Sequence, residues 1–233
     1  MSTPALSVVI PAFNEAERLP RTLGRVRAYL DARGTPYEVV VVDDGSQDRT
    51  AERALESGGP HATVLRNEGN RGKGYSVRRG MLAARGQRRL MTDADLSTPI
   101  EELPLLEACL DQGYAVAIGS RAVSGARVEV HQGVLREGAG WAFNLLVRLM
   151  VLPDLRDTQC GFKLFAAEAV KSAFGPARLD GFAFDVEALF LARRAGLRIA
   201  EVPVTWRNDA ATRVSTLKGA RAFLDVVRLR LRS

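Results

Sequence analysis

The sequence predicts an α/β fold with a mostly parallel central sheet and helices on both of its faces. Short runs rich in Val and Ile, at residues 7–11 and 37–43, have the apolar character of strands buried in a parallel sheet. They alternate with segments in which apolar residues recur at helical spacing, and the connections between them are short. The 233 residues are enough for one domain with a substantial core, which is the organisation we predict.

The first half of the chain supplies four predicted strands and three predicted helices. Pro11 ends the first strand, and Asn14 and Ser46 are predicted to cap the helices that follow the first and second strands. The strands are residues 7–11, 37–43, 62–66 and 88–92, and the helices are residues 19–34, 47–57 and 74–84.

The second half contains two helices whose surfaces leave alternatives open. Residues 139–152 are almost continuously apolar but, at about 14 residues, too short to span a bilayer, which leaves a core helix or a hydrophobic platform beside an active site. Residues 217–231 form an amphipathic basic helix that either packs on the domain or binds a membrane surface. The other predictions are helices at 99–112 and 180–195, strands at 114–119 and 198–204, a polar loop at 122–133, and a loop at 157–165 that returns to a strand.

Polar residues follow three of the predicted strands at the point where each strand ends, at residues 11–15, 43–46 and 93–97. Ligands bind at the carboxyl ends of the strands in open parallel sheets, so these turns predict a common site. Asp93 and Asp95 are separated only by Ala94 and are predicted to point the same way. Two hard oxygen ligands suit Mg²⁺ or Mn²⁺ shared with a diphosphate; the alternative is a solvated strand-end turn.

The net charge indicates which ligands the protein could bind, and the cysteines indicate its cellular compartment. With 33 Lys and Arg against 27 Asp and Glu, the net charge of +6 suits an anionic substrate or membrane surface and gives no argument for nucleic acid. Cys109 and Cys160 match no metal-ligand spacing and predict a reducing, cytoplasmic compartment. No signal peptide and no membrane span are visible, so we expect a soluble protein or one peripheral to the inner face of the membrane.

Four motifs resemble the signatures of family 2 glycosyltransferases, which have the GT-A fold. They are VVIPAFNE at 8–15, VVDDGSQD at 41–48, NRGKG at 70–74 and DAD at 93–95, and their order and approximate spacing are also similar to the family pattern. Motifs at 119–121, 157–163, 181–187 and 201–206 resemble the branch that contains dolichyl-phosphate glucosyltransferases and polyprenyl-phosphate mannosyltransferases.

The resemblance implies a site for a nucleoside diphosphate sugar and a divalent metal, Mg²⁺ or Mn²⁺. Asp95, together with Asp93, would hold the metal. Phe13 stands where the family often has Tyr, and Ser97 stands where mannosyltransferase relatives often carry Gln, which leaves the donor sugar open. The residues that the resemblance assigns to the nucleotide sugar are Pro11, Phe13, Glu15, Val42, Asp44, Lys73, Asp93, Ala94, Asp95, Arg136, Thr212 and Arg213.

The acceptor decides which catalytic groups are needed. A lipid monophosphate is already anionic and needs no strong base, whereas a hydroxyl acceptor needs a carboxylate to take its proton. Asp185 stands where many relatives carry the base, Asp157 is a second candidate, and Arg121 would meet a phosphate. Each carboxylate also has a structural alternative, because Asp185 can support a helix and Asp157 can anchor its loop.

We therefore predict an inverting, metal-dependent transfer of a hexose, with UDP-glucose as the favoured donor, to a polyprenyl or dolichyl phosphate. The alternatives are the same fold acting on a soluble sugar or small hydroxyl acceptor, and a non-catalytic module that binds a nucleotide sugar. No Gly-x-Gly-x-x-Gly follows the first strand, which disfavours a dinucleotide oxidoreductase. The predicted domain is residues 1–215, with a nucleotide-binding half (1–97) and an acceptor half (98–215), followed by the amphipathic helix at 216–233.

Overall fold

The computed structural model describes residues 3–130, 134–207 and 216–231 of the chain. In this part of the chain the strands are β1 (Leu6–Ala12), β2 (Tyr37–Asp43), β3 (Ala62–Arg66), β4 (Arg88–Thr92), β5 (Val116–Ser120), β6 (Arg127–Val130), β7 (Phe162–Ala166), β8 (Ile199–Pro203) and β9 (Thr205–Arg207). The helices are α1 (Leu19–Arg33), α2 (Thr50–Gly58), α3 (Lys73–Ala83), α4 (Leu103–Asp111), α5 (Val134–Met150), α6 (Ala167–Phe174), α7 (Phe184–Arg194) and α8 (Thr216–Leu231), with short 3₁₀ turns at Gly59–His61 and Ile100–Glu102.

Seven of the strands form one sheet in the order β3-β2-β1-β4-β7-β5-β8. The pairs β1–β2, β2–β3, β1–β4 and β5–β8 are parallel, whereas β7 runs antiparallel to both of its neighbours, β4 and β5. The prediction of a mostly parallel sheet is confirmed. Strands β6 and β9 form a separate parallel pair.

Helices cover both faces of this sheet, as predicted. Val8 and Ile10 of β1 pack into a core formed with α1 and α4, while Val9 packs into the opposite core with α3, α5, α6 and α7. This division follows from the alternation of side chains along a strand. Because both faces are covered, the strands need the continuous apolar character by which they were predicted.

The turns that follow β1 and β2 differ from the sequence prediction. Helix α1 begins only at Leu19, with Arg18 at its N-cap, so Asn14 does not cap it. Helix α2 begins at Thr50, whose N–H donates to Asp48 Oδ1 (3.0 Å), so Ser46 is not its cap. Asn14 and Ser46 hold the two turns against each other instead, as described below. The predicted loop 122–133 contains β6, and α6 has no counterpart among the predicted elements.

Helix α5 packs one side into the core, which is the first of the two alternatives that its apolar sequence left open. Phe143 and Val147 are buried in the core, while Leu149 is 77% exposed. The ring of Phe143 meets that of Phe223 in α8 edge to face, with centroids 5.2 Å apart. None of the helices in the described ranges is long and apolar enough to cross a membrane.

Candidate active site

Reciprocal hydrogen bonds tie together the turns at the carboxyl ends of β1 and β2. The N–H of Asn14 donates to Ser46 Oγ (2.9 Å), and the N–H of Gln47 donates to Asn14 Oδ1 (2.9 Å). The N–H of Glu15 donates to Thr50 Oγ1 (2.8 Å). The polar residues at these strand ends therefore form one connected edge.

Asp44 organises the loop that leads into α3. Its Oδ1 accepts hydrogen bonds from Asn67 Nδ2 (2.8 Å) and the N–H of Arg71 (2.9 Å), and its Oδ2 accepts one from the N–H of Gly72 (2.9 Å). Asp44 is buried, so these three bonds replace water as the partners of its carboxylate. They fix the start of α3 and, with it, Lys73.

The other residues predicted for the nucleotide pocket differ in exposure. Phe13 is 41% exposed and Pro11 is half-buried, so both are at the surface of the strand-end edge. Glu15 Oε1 lies 3.2 Å from Arg18 Nη1. Val42 is fully buried, and a Cβ atom on Gly80 of α3 would lie 2.8 Å from its Cγ2. Val42 therefore supports this edge from the core.

Lys73, the first residue of α3, pairs with the first aspartate after β4. Its Nζ lies 2.6 Å from Asp93 Oδ1. Burial acts to lower the pKa of Lys73, but the negative charges of Asp93 and Asp185 outweigh it and raise that pKa above its ordinary value. Lys73 is therefore a cation at neutral pH.

Asp95 lies in the same region of negative charge. Its Oδ1 accepts a hydrogen bond from the N–H of Ser97 (2.9 Å). Burial, followed by the negative charge of Asp93, raises the pKa of Asp95. Between the two aspartates, the buried Ala94 accepts a hydrogen bond from Thr22 Oγ1 (2.5 Å) at its carbonyl oxygen, which fixes this turn to α1.

Gly161, just before β7, packs directly against the carboxylate of Asp93. A Cβ atom on Gly161 would lie 2.1 Å from Asp93 Oδ2 and 2.5 Å from its Cγ. The loop that contains Gly161 therefore sets one wall of the aspartate site, and only a glycine leaves room for that carboxylate.

The same loop holds Arg121 at the end of β5. Arg121 Nε and Nη2 donate to the two oxygens of Asp157 (2.7 and 2.9 Å), and the N–H of Arg121 donates to Asp157 Oδ2 (3.0 Å). Burial alone would raise the pKa of Asp157, but Arg121 outweighs it and lowers that pKa. Arg121 also lies over the ring of Trp206, 5.3 Å from its centroid. With both oxygens engaged, Asp157 is a poor proton acceptor.

Asp185, in the first turn of α7, is paired with a buried lysine. Lys163 Nζ lies 2.5 Å from Asp185 Oδ1 and donates also to the carbonyl oxygen of Cys160 (2.5 Å). Lys163 and Asp185 are 1% and 5% exposed. Burial raises the pKa of Asp185, although Lys163 and Lys73 act against it. A raised pKa suits a general base, whereas the bond to Lys163 occupies one of its oxygens.

The described part of the site contains both cationic and anionic side chains. The charged side chains within electrostatic reach of one another are Lys73, Arg121 and Lys163, and Asp93, Asp95, Asp157 and Asp185. Within the described residues, no group of three or more His, Cys, Asp or Glu residues is arranged to hold a metal ion. Asp93 and Asp95 supply two hard oxygen donors, so a metal bound by them would take its other ligands from a diphosphate or water.

Three residues predicted for the donor cannot be placed at the site. Thr212 and Arg213 lie outside the described residues. Arg136 lies within α5, but its side chain is not among those that the structure describes.

The comparison with known proteins gives the family. The model for "Glycosyl transferase family 2" matches residues 7–174. The chain belongs to glycosyl transferase family 2. It is 34% identical over 236 residues to a dolichyl-phosphate beta-glucosyltransferase of Trichomonas vaginalis, covering 96% of this chain and 72% of that protein. It is 41% identical over 216 residues to a dolichyl-phosphate beta-glucosyltransferase of Drosophila melanogaster, covering 86% of this chain and 66% of that protein.

Solved structures share the fold of this glycosyltransferase. The glucosyl-3-phosphoglycerate synthase of M. tuberculosis aligns with a TM-score of 0.70 at 22% identity, covering 98% of this chain and 80% of that one. The mannosyl-3-phosphoglycerate synthase of Rubrobacter xylanophilus aligns with a TM-score of 0.73 at 23% identity, covering 98% and 73%. The predicted GT-A fold is confirmed.

Two residues that shape the site of this glycosyltransferase, Gly161 and Lys163, had no predicted role. Both lie within the motif at 157–163. The sequence does contain a signal for Lys163, which is the single charged residue in an otherwise apolar strand. A lysine inside a buried strand needs an anionic or polar partner, so such a partner could have been predicted. Nothing in the sequence indicates that Gly161 touches Asp93, since 68 positions separate them along the chain.

Proposed function

We propose that this glycosyltransferase moves a glucosyl group from UDP-glucose to a polyprenyl or dolichyl phosphate, with inversion at the anomeric carbon. The relatives from Trichomonas vaginalis and Drosophila melanogaster carry the name dolichyl-phosphate beta-glucosyltransferase, which supports both the sugar and the acceptor. The second-half motifs that resemble this branch support the same acceptor.

The observation that carries the proposal is the pairing of both candidate bases. Asp157 is bound through its two oxygens to Arg121, and Asp185 is bound to the buried Lys163. A hydroxyl acceptor requires a carboxylate that takes a proton, whereas a phosphate monoester brings its own anionic oxygen. A site in which the carboxylates are neutralised by cations suits the phosphate.

In the proposed reaction an oxygen of the acceptor phosphate attacks the anomeric carbon of the donor. The bond between that carbon and the β-phosphate oxygen breaks, and UDP leaves. Lys73 and Arg121 are the cations placed to stabilise the phosphate charges, because preorganised charge acts where charge develops in the transition state.

We further propose that Asp95, with Asp93 beside it, holds Mg²⁺ or Mn²⁺. Such an ion would supply positive charge to the leaving diphosphate. The family resemblance favours Asp95 as the main ligand, and Asp93 also lies 2.6 Å from Lys73 Nζ. A structural neighbour was crystallised with Mn2+, uridine-diphosphate and glucosyl-3-phosphoglycerate, but at 21% identity its likeness concerns the fold.

We propose that the two halves of the chain bind different substrates. Residues 1–97 supply most of the donor site, to which Arg136, Thr212 and Arg213 are added, and the rest of residues 98–215 bind the acceptor. The basic helix near the C-terminus meets the membrane surface that carries the lipid, on its cytoplasmic side. The exposed Leu149 and Leu231 support such a surface contact, because a lipid acceptor must be reached at the edge of the bilayer.

The experiment that tests the proposal is incubation with UDP-glucose, Mg²⁺ or Mn²⁺, and either a short polyprenyl phosphate or a soluble acceptor such as 3-phosphoglycerate. We expect a glucosylated lipid and no soluble product. Asp95→Ala is the matched negative control and is expected to lose metal-stimulated transfer while keeping its fold. Formation of a soluble product alone would favour the soluble-acceptor alternative.

A further inference from the structure

Lys163 is the central contact between three parts of the candidate site. It lies in β7, opposite Met91 of β4 and Ile118 of β5, and is 1% exposed. Its ammonium group bonds to the Cys160 carbonyl oxygen in the loop before β7 and to Asp185 Oδ1 in the first turn of α7. A charged lysine this deeply buried is costly unless it is fully paired, so its partners are held firmly in place.

Each of these partners is next in the chain to a residue that packs against the donor site. Cys160 precedes Gly161, whose backbone packs against the carboxylate of Asp93. Phe184, which precedes Asp185, lies with its ring centroid 5.9 Å from Nζ of Lys73, the partner of Asp93. The negative charge of Asp185 also helps to raise the pKa of Lys73. The hydrogen bonds of Lys163 in the described structure go to neither Asp93 nor Lys73. Lys163 instead holds the Cys160 carbonyl and Asp185, whose chain neighbours Gly161 and Phe184 lie next to Asp93 and Lys73.

We propose that Lys163 is a positioning residue that neutralises Asp185 and holds the loop at Gly161, so that Asp93 and Lys73 keep the geometry that binds the donor. On this basis Asp185 is the counter-ion of Lys163 and does not take a proton from the acceptor. This inference rests on the proposed function, and it deepens it by requiring an acceptor that arrives as an anion.

A double-mutant cycle separates the positioning role of Asp185 from the role of general base. The variants are Lys163→Met, Asp185→Asn and the double variant that carries both changes. Each single change leaves one buried group without its partner, so we expect kcat/KM for UDP-glucose to fall about tenfold or more, mainly through KM. The double variant removes both charges, so its kcat/KM is expected to exceed that of Asp185→Asn and its pH profile to match that of the wild type.

The opposite pattern would overturn the inference. If Asp185 is the general base, Asp185→Asn loses about 10²–10⁴-fold in kcat and removal of Lys163 restores nothing. The acidic limb of the pH profile would then change in the double variant. If Lys163→Met fails to fold in a thermal melt, the comparison of Asp185→Asn with the double variant still decides between the two roles.

Calorimetric titration of UDP-glucose separates a failure of this inference from a failure of the proposed function. If the wild type makes no glycolipid, the proposed acceptor is wrong. The positioning role is then still tested by donor affinity, which is expected to fall in each single variant and to recover in the double variant. Equal affinity in all four proteins would refute it.

Discussion

Gly161 lies so close to Asp93 that no side chain fits between them. A Cβ atom at 2.1 Å from Asp93 Oδ2 would force either the carboxylate or the loop to move. Asp93 is bound through its other oxygen, Oδ1, by Lys73, so a displaced carboxylate would also disturb this ion pair. The position of one backbone atom therefore controls the geometry of the proposed donor site.

Gly161→Ala is expected to lower the affinity for UDP-glucose and the rate of transfer by about tenfold or more, because it displaces Asp93. Gly181→Ala is the matched control, since a Cβ atom there meets nothing within 4 Å. The test is calorimetry and steady-state kinetics on both variants. Equal effects of the two substitutions would contradict the steric argument.

The ion pair between Asp157 and Arg121 also makes a prediction about stability and pH. Because Arg121 lowers the pKa of Asp157 in the folded protein, the pair stabilises the fold above about pH 4, the ordinary pKa of Asp. That contribution is lost as the pH falls through the lower pKa of the folded state.

Asp157→Asn is expected to reduce the free energy of unfolding by about 3 kcal/mol at pH 7, and the difference from the wild type is expected to narrow below about pH 4. Urea unfolding at pH 7 and pH 3 measures it. Asp154→Asn removes the exposed ion pair with Arg193 and is expected to change stability by less than about 1 kcal/mol. A pH-independent effect of Asp157→Asn would refute the explanation.

At the scale of elements, the sequence predicts the strands and strand-end turns, because these depend on local residue patterns. Strands β1 and β2 carry mostly apolar runs, and β4 contains the buried Leu90 and Met91. The polar turns after these strands lie at one sheet edge, as expected from parallel packing. The reversed direction of β7 could not be predicted, because it depends on two partners, β4 and β5, that are distant in sequence. The pairs Arg121–Asp157 and Lys163–Asp185 escaped prediction for the same reason.

The loop before α3 provides a second case in which tertiary contacts assign a residue. The resemblance assigns Asp44 to the nucleotide pocket, and the structure shows its two oxygens bonded to Asn67, Arg71 and Gly72. Whatever contact it makes with a nucleotide, Asp44 holds the start of α3 in place.

Asp44→Asn replaces one acceptor oxygen by a donor, which leaves a buried N–H without its partner and is expected to cost about 1–3 kcal/mol of stability. Amide hydrogen exchange in residues 67–74 is expected to accelerate, and the affinity for UDP-glucose to fall. Glu68→Gln changes an exposed carboxylate in the same loop and serves as the control. Unchanged exchange in Asp44→Asn would show that the loop does not depend on this carboxylate.

At the scale of the whole molecule, α5 and α8 pack against each other through Phe143 and Phe223, and each carries exposed apolar and basic side chains. Leu145, Leu149, Leu224 and Leu231 are exposed on these helices. Arg148, Arg221 and Arg228 are exposed beside them, while Asp225 is buried and lies 3.5 Å from Arg228. Exposed leucines with arginines around them suit the surface of an anionic bilayer.

Replacing Leu149 and Leu231 by Ser is expected to reduce cosedimentation with phosphatidylglycerol vesicles by about tenfold, since each leucine contributes up to about 2 kcal/mol of burial. Leu55 and Leu105, exposed on α2 and α4, provide the matched pair of control substitutions. A deletion of α8 is a poorer test, because it also uncovers Phe143. An equal loss in the control pair would contradict a membrane-binding role for this surface.

The central claim is that the acceptor supplies an anionic oxygen, so that the paired carboxylates need not act as a base. The most direct test compares two acceptors with the same short polyprenyl chain, one ending in a monophosphate and the other in the free alcohol. We expect UDP-glucose to be consumed with formation of the glucosyl phospholipid from the monophosphate only. Transfer to the alcohol at a similar rate would contradict the claim.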